Sequence, residues 1–109
     1  MVLQIVRASI KPEQREHWLE VMRDNAARTR AEEGCESYRI AEDLEAPNTF
    51  VIIEEWADLD AVYRHFRNQF EALMAALGDV FAAPPEAWFH DLAATLTLDE
   101  VLAKAGLTR

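Results

Sequence analysis

Cysteine, glycine and proline are scarce in this 109-residue chain, which has one Cys, three Gly and four Pro. The lone Cys35 has no second thiol in the chain to pair with, so a reducing compartment is the expectation. Gly34, Gly78 and Gly106 never fall close enough together to cradle a phosphate, which disfavours nucleotide and dinucleotide chemistry. His17, His65 and His90 are isolated, and no two share the i, i+3 or i, i+4 spacing that puts two ligands on one helix face, so no metal is expected. Basic residues are also few: 11 Lys and Arg stand against 20 Asp and Glu, giving a formal charge of −9. They are scattered, and that balance repels a phosphate backbone, so nucleic acid is excluded as a partner. Apolar runs such as Phe50 to Ile53 are a handful of residues, well short of the roughly 20 a bilayer-spanning helix requires. The Met1-Val2-Leu3-Gln4 start has no basic segment followed by an apolar one. A cytoplasmic protein without membrane contact is therefore expected.

What is present is a chain half hydrophobic and 28% charged, the composition of one small globular domain. The Gly and Pro residues read as punctuation. Pro12 opens a helix that runs to about residues 30–33, with Trp18, Val21, Met22, Asn25, Ala26 and Thr29 on one side and Gly34 as its end. Asp58 caps a second helix bearing Leu59, Val62, Tyr63, Phe66, Phe70, Leu73, Met74 and Leu77 as a stripe, closed by Gly78. Thr97-Leu98-Asp99-Glu100 matches a capping box, so a short third helix is predicted, ending at Gly106. Four β-rich runs separate these helices: Val2 to Ile10, Cys35 to Glu42, Thr49 to Trp56, and Ala87 to about Ala93. The order βαββαβ predicts an α+β, ferredoxin-like fold, with two helices on one face of a four-stranded antiparallel sheet. A domain over residues 1–93 followed by a helical tail over 94–109 is expected.

Strand parity bears on the other face of that sheet. In the third strand Phe50, Ile52, Glu54 and Trp56 form one class and Thr49, Val51, Ile53 and Glu55 the other; both are largely apolar. The first strand behaves likewise, with Leu3 and Ile5 opposed to Val2, Val6, Ala8 and Ile10. A sheet with one wet face should alternate apolar and polar, so a second copy of the same sheet is the simplest cover, and a homodimer through the sheet face is predicted.

Three stretches resemble the antibiotic biosynthesis monooxygenase family of dimeric α+β barrels: Glu33-Gly34-Cys35-Glu36-Ser37-Tyr38, Phe50-Val51-Ile52-Ile53-Glu54-Glu55-Trp56 and Pro84-Pro85-Glu86. The helical Tyr63-Arg64-His65-Phe66 is similar as well, and the resemblance spans about Leu3 to Leu92. It implies a pocket between helices and sheet where a flat, quinol-like or polyphenolic molecule is oxidised by dioxygen without metal or other cofactor. The protein would supply positioning, proton removal and exclusion of water. Trp56 matches the pocket tryptophan of anthrone oxygenases, while the Asn and Tyr accompanying it there are replaced by Ile52 and Val62. The helix histidine that haem-degrading relatives carry about two turns beyond the position of His65, and their first-strand asparagine, have no counterpart, nor does the second histidine that many relatives carry a few residues after the His-Leu matching His65-Phe66.

Individual residues leave more than one reading. His65 lies at the rim of the second helix's stripe, where imidazole, with its ordinary pKa of about 6.5, suits a general base or a helix-surface histidine equally. Glu54, a carboxylate among Phe50, Ile52 and Trp56, is either a second base or the partner of a cation such as Arg7 or Arg39. Trp56 would stack on a flat ring or fill the core, and Tyr38 would hydrogen-bond a substrate oxygen or pack. Ile52 and Phe66 are expected to line the pocket, and His90 to line it or lie at the dimer seam. Runs such as Glu32-Glu33 read as solvated edges. Three functions stay open: the cofactor-independent monooxygenase, an isomerase for a small keto or lactone compound, and a non-catalytic dimeric small-molecule-binding or stress-associated protein.

Overall fold

The computed structural model describes residues 1–107. Its elements run β1 (Val2–Ser9), α1 (Arg15–Arg30), β2 (Cys35–Glu42), β3 (Thr49–Trp56), α2 (Leu59–Leu77), β4 (Glu86–Asp91) and α3 (Leu98–Lys104). The four strands form one antiparallel sheet in the order β2-β3-β1-β4, the ferredoxin-like arrangement predicted from the element order. Pro12 opens a single 3-10 turn, Pro12–Gln14, and the α-helix proper starts three residues later than its proline suggests. The last strand ends at Asp91 instead of Ala93. The last two residues of the tail expected over 94–109 lie outside the described residues.

Register sorts the strand side chains into two faces. Opposite partners share a face, so Val2, Gln4, Val6 and Ala8 of β1 lie with Trp56, Glu54, Ile52 and Phe50 of β3. Tyr38 of β2 and Phe89 of β4 join them. This is the helix-facing side, where Trp18, Met22 and Ala26 of α1 pack with Tyr38, Phe50 and Ile52 into the core. Leu3, Ile5, Val51, Ile53 and Trp88 belong to the opposite class, and Ile53 and Trp88 stand 42% and 44% exposed there.

Helix α2 departs from its sequence pattern in an informative way. Its apolar stripe buries fully only Val62 and Leu77, together with the off-stripe Ala61, while Tyr63 and Phe70 are about half exposed. The stripe does not press on a solid core, because Phe66, Phe70, Leu73, Met74 and Leu77 roof a cavity above the sheet. Two local devices set the position of α2. The Asp58 carboxylate accepts the Ala61 backbone N–H at 2.8 Å and starts the helix. Gly34, at φ 88°, ends the turn after α1, and a Cβ placed there would stand 2.6 Å from the Ala61 Cβ. Only glycine tolerates both that conformation and that approach. The turn after α1 and the first turns of α2 are thereby held together, which decides what meets His65.

Candidate active site

The cavity beneath α2 measures about 190 Å³. Most of its wall is apolar, with Val6, Ala8, Ile52, Phe66, Phe70 and Leu73 among its lining. Its polar groups include Gln4, Asn25, Tyr38, Glu54, His65 and Gln69.

Glu54 is the centre of the polar end and is only 4% exposed. Its parity in β3 points it at the helices, and the strand opposite places Gln4 directly across from it. Gln4 Nε2 donates to Glu54 Oε2 at 3.1 Å, and Trp56 Nε1 donates to Oε1 at 3.2 Å. Among the described residues no arginine pairs with it, which corrects the expectation of an ion pair: Arg7 and Arg39 stand opposite Val51 and Ile53, on the other face, and Arg7 pairs with Asp43 at 3.5 Å. Two neutral N–H donors only partly replace the lost water, so burial pushes the Glu54 carboxyl up to about 7, helped by the nearby charge of Glu32 and opposed by the Trp56 hydrogen bond.

His65 stands behind Glu54, its Nε2 3.9 Å from Glu54 Oε1. Its Nδ1 is bonded to Glu32 Oε2 at 2.5 Å, and Gln69 Nε2 holds the other Glu32 oxygen at 2.7 Å. A carboxylate oxygen accepts, so Nδ1 is the donor in this contact, and Nε2 is the ring nitrogen on the Glu54 side. Trp56 stacks on the imidazole with centroids 4.7 Å apart, and Phe66 meets it edge-on at 5.6 Å. A second, more polar cavity of about 180 Å³ lies on the far side, lined by Glu32, Glu33, Trp56, Arg64, His65 and Asn68 among others. Of the residues lining the two cavities, His65 alone is shared.

Tyr38 lies at the same end, 1% exposed, opposite Glu54 in the register and accepting from Asn25 Nδ2 at 3.3 Å. Burial, then the charge of Glu54, raises its pKa, so its hydroxyl keeps its proton and remains a donor. Cys35 is raised for similar reasons, burial first, which suits a small, partly buried residue better than a nucleophile. Among the described residues no three His, Cys, Asp or Glu are grouped as a metal site requires.

The fold thus brings Tyr38, Ile52, Glu54, His65 and Phe66 to one cavity. Trp56 is correctly oriented but differently employed: fully buried, it backs His65 and holds Glu54 instead of lining the main cavity. His90 is not brought to the site. It pairs with Leu3, on the face turned away from the helices, which corrects its placement as a pocket residue. Sequence reasoning missed Gln4, Gln69 and Glu32. Gln4 had a signal, being the polar member of an apolar parity class. Gln69 lies one helical turn beyond His65. Glu32 had none, because nothing local distinguishes it from a solvated turn residue.

A family model for antibiotic biosynthesis monooxygenases matches residues 1–76. The Bacillus subtilis protein named "Putative monooxygenase YcnE" is 34% identical over 76 residues, covering 69% of this chain and 80% of its own. An uncharacterized Synechocystis sp. protein, sll1783, is 30% identical over 90 residues, 82% of this chain, which spans only 61% of that relative's length. A crystal structure of an antibiotic biosynthesis monooxygenase superposes with a TM-score of 0.78 at 28% identity, covering 86% of this chain and all of that one. With the βαββαβ topology and most of the chain matched in sequence, this protein belongs to the antibiotic biosynthesis monooxygenase family.

Proposed function

We propose that the protein is a monooxygenase that oxidises a quinol-like or polyphenolic small molecule with dioxygen and needs no cofactor, with Glu54 as the base and His65 as its partner. The observation that carries this reading is a buried carboxyl with a pKa near 7 at the polar end of an otherwise apolar cavity. A base titrating near the working pH is present in its active form and still binds a proton firmly, the compromise that general-base catalysis favours.

A phenol entering with its hydroxyl toward Glu54 loses that proton and becomes an electron-rich anion. The Tyr38 hydroxyl is placed to stabilise the oxyanion by donation, and the apolar wall keeps out water that would quench it. The anion passes an electron to dioxygen. The reduced dioxygen bonds to a ring carbon as a hydroperoxide, whose O–O bond then breaks: one oxygen stays on the substrate, which loses two hydrogens overall, and the other leaves with them as water. Ile52 and Phe66 shape the space for the ring, while Trp56 holds the base and imidazole in place.

The working unit in this reading is a homodimer, in which the second face of the sheet, with Leu3, Ile5, Ile53 and Trp88, is covered by its copy and His90 lies at the seam. Light scattering that finds a stable monomer at micromolar concentration overturns that part. For the reaction, a panel of dihydroquinones and anthrones should give protein-dependent oxygen uptake that Glu54→Gln abolishes. If no member of the panel consumes dioxygen in the presence of the protein, the oxygenase reading fails. The Glu54–His65 pair would equally move a proton within a small keto compound, and turnover without oxygen uptake would select that isomerase reading instead.

A further inference from the structure

Three titratable side chains stand in line at the polar end, and the middle one is an imidazole. Glu54 Oε1 lies 3.9 Å from His65 Nε2, and His65 Nδ1 lies 2.5 Å from Glu32 Oε2. Three separate segments supply them: Glu54 comes from β3, His65 from α2 and Glu32 from the turn after α1. Exposure rises along the line, from 5% of the Glu54 side chain to 11% for His65 and 18% for Glu32. Glu32 also lines the second, polar cavity beside Glu33 and Arg64, both exposed, and accepts from Gln69. The inner carboxylate is dry and the outer one is solvated.

A proton on Nε2 suits these surroundings. It would make His65 a cation with a carboxylate on either side, and the Trp56 ring, 4.7 Å from the imidazole between centroids, offers that cation an indole face. The cation on the wall of the second cavity is Arg64, which points its charge at solvent rather than into a buried site. On the other side of the pair, Gln4 Nε2 and Trp56 Nε1 both donate to Glu54, which favours its ionised form. The gap between Glu54 and His65 is about 1 Å longer than a hydrogen bond, and catalytic hydrogen bonds commonly tighten only when the site fills.

We propose that His65 stores the proton that Glu54 takes from the substrate, with Glu32 as the fixed anion that holds the resulting imidazolium. The Glu54 O–H bond breaks and the His65 Nε2–H bond forms, while Nδ1–H stays hydrogen-bonded to Glu32. Glu54 is then a carboxylate again. Once dioxygen has been reduced, the same proton passes back through Glu54 to the peroxide oxygen, and the ring is neutral as before. The benefit is one of timing. Dioxygen arrives by diffusion, and a proton left on Glu54 is one hydrogen bond away from recapture by the substrate anion; moved one group back, it leaves the anion standing. His65 and Glu32 act through Glu54 as positioning residues. The proposal rests on Glu54 as the base, as in the reading above, but not on any oxidation.

4-Cyanophenol tests it without oxygen chemistry, because its anion absorbs at longer wavelength than its neutral form and dioxygen does not oxidise it. At pH 7.5 the protein should bind it as the anion, while ¹⁵N NMR shows His65 changing from neutral to imidazolium with both ring nitrogens protonated. Glu32→Gln keeps an acceptor for Nδ1 and removes the charge. It should lower the fraction of bound anion several-fold and leave the ring neutral, and Glu32→Asp should restore part of both. His65→Gln should bind the phenol in its neutral form only, and its binding reports that the variant is folded. A bound anion with no change in the charge of His65, a phenol that stays neutral with the wild-type protein, or imidazolium formed equally in Glu32→Gln overturns the inference. Imidazolium formation with no oxygen uptake from the quinol and anthrone panel keeps it while removing the oxygenase reading; oxygen uptake with His65 neutral throughout does the reverse.

Discussion

Glu42 and Glu54 are the same side chain on adjacent strands, and their surroundings drive them in opposite directions. Glu42, at the end of β2, receives both guanidinium N–H groups of Arg15 at 2.6 and 2.8 Å and the Asn48 backbone N–H at 2.8 Å. A full positive charge faces it in solvent, and the Arg15 hydrogen bond, then the Asn48 amide, lowers its pKa to about 2. Glu54 has only an indole and an amide as donors and is shut away from water, so it rises to about 7. A carboxylate given a cation and left wet stays ionised; one given neutral donors and buried holds its proton to higher pH, as the proposed base requires.

The largest test of this contrast is activity. Glu54→Gln should lower the rate of oxygen uptake by 10² to 10⁴, the range usual for loss of a positioned base, while Glu42→Gln leaves it within about twofold. Wild-type turnover should rise with pH through about 7 and level off above, because the carboxylate is the active form. A flat profile from pH 5 to 9 would dissociate Glu54 from the chemistry.

Stability should carry the same signature with a sign of its own. The folded pKa of Glu54 is raised above its ordinary 4.5, so its contribution is fully present below about pH 4.5 and is lost as pH rises toward 7. The full penalty above pH 7 is about 3 kcal/mol. Glu54→Gln should therefore be more stable than wild type at pH 8 in urea titrations, with the advantage shrinking toward pH 5. The Gln4 amide can turn so that its oxygen accepts from the new side chain, while the Trp56 indole keeps an oxygen acceptor.

A smaller effect is expected at Glu32. Glu32→Ala should cut turnover by about tenfold and shift neutral His65 away from the Nδ1–H form, which ¹⁵N NMR reads without substrate. An unchanged tautomer would show that the ring is held by Trp56 and Phe66 alone. Smallest of all, Arg15→Leu should raise the pH of acid unfolding slightly, since Glu42 stabilises above its ordinary pKa and loses that contribution as pH falls toward 2. No change in turnover should accompany it.

Much of this was legible along the chain, and the division has a physical basis. Period 3.6 in α1 and α2, period 2 in the strands, the Asp58 cap and Gly34 are local, so the βαββαβ order and the face on which Glu54 lies follow from neighbours in sequence. The same parity, applied to Arg7 and Arg39, excludes them as partners of Glu54. Other features depend on residues far apart in the chain. Glu32 meets His65 across 33 positions and Gln4 meets Glu54 across 50, through loops whose closure no local pattern encodes. The α2 stripe shows the limit most plainly: its spacing states that one side is apolar, but whether that side meets packed side chains or a cavity depends on how far the helix stands from the sheet. The sequence by itself determined the elements, their order and the facing of each strand residue, because these depend on backbone geometry. Only the tertiary structure decided that Glu54 lies at the end of a cavity without a cation, with His65 and Glu32 behind it, because desolvation and charge are summed over every element that packs around a group.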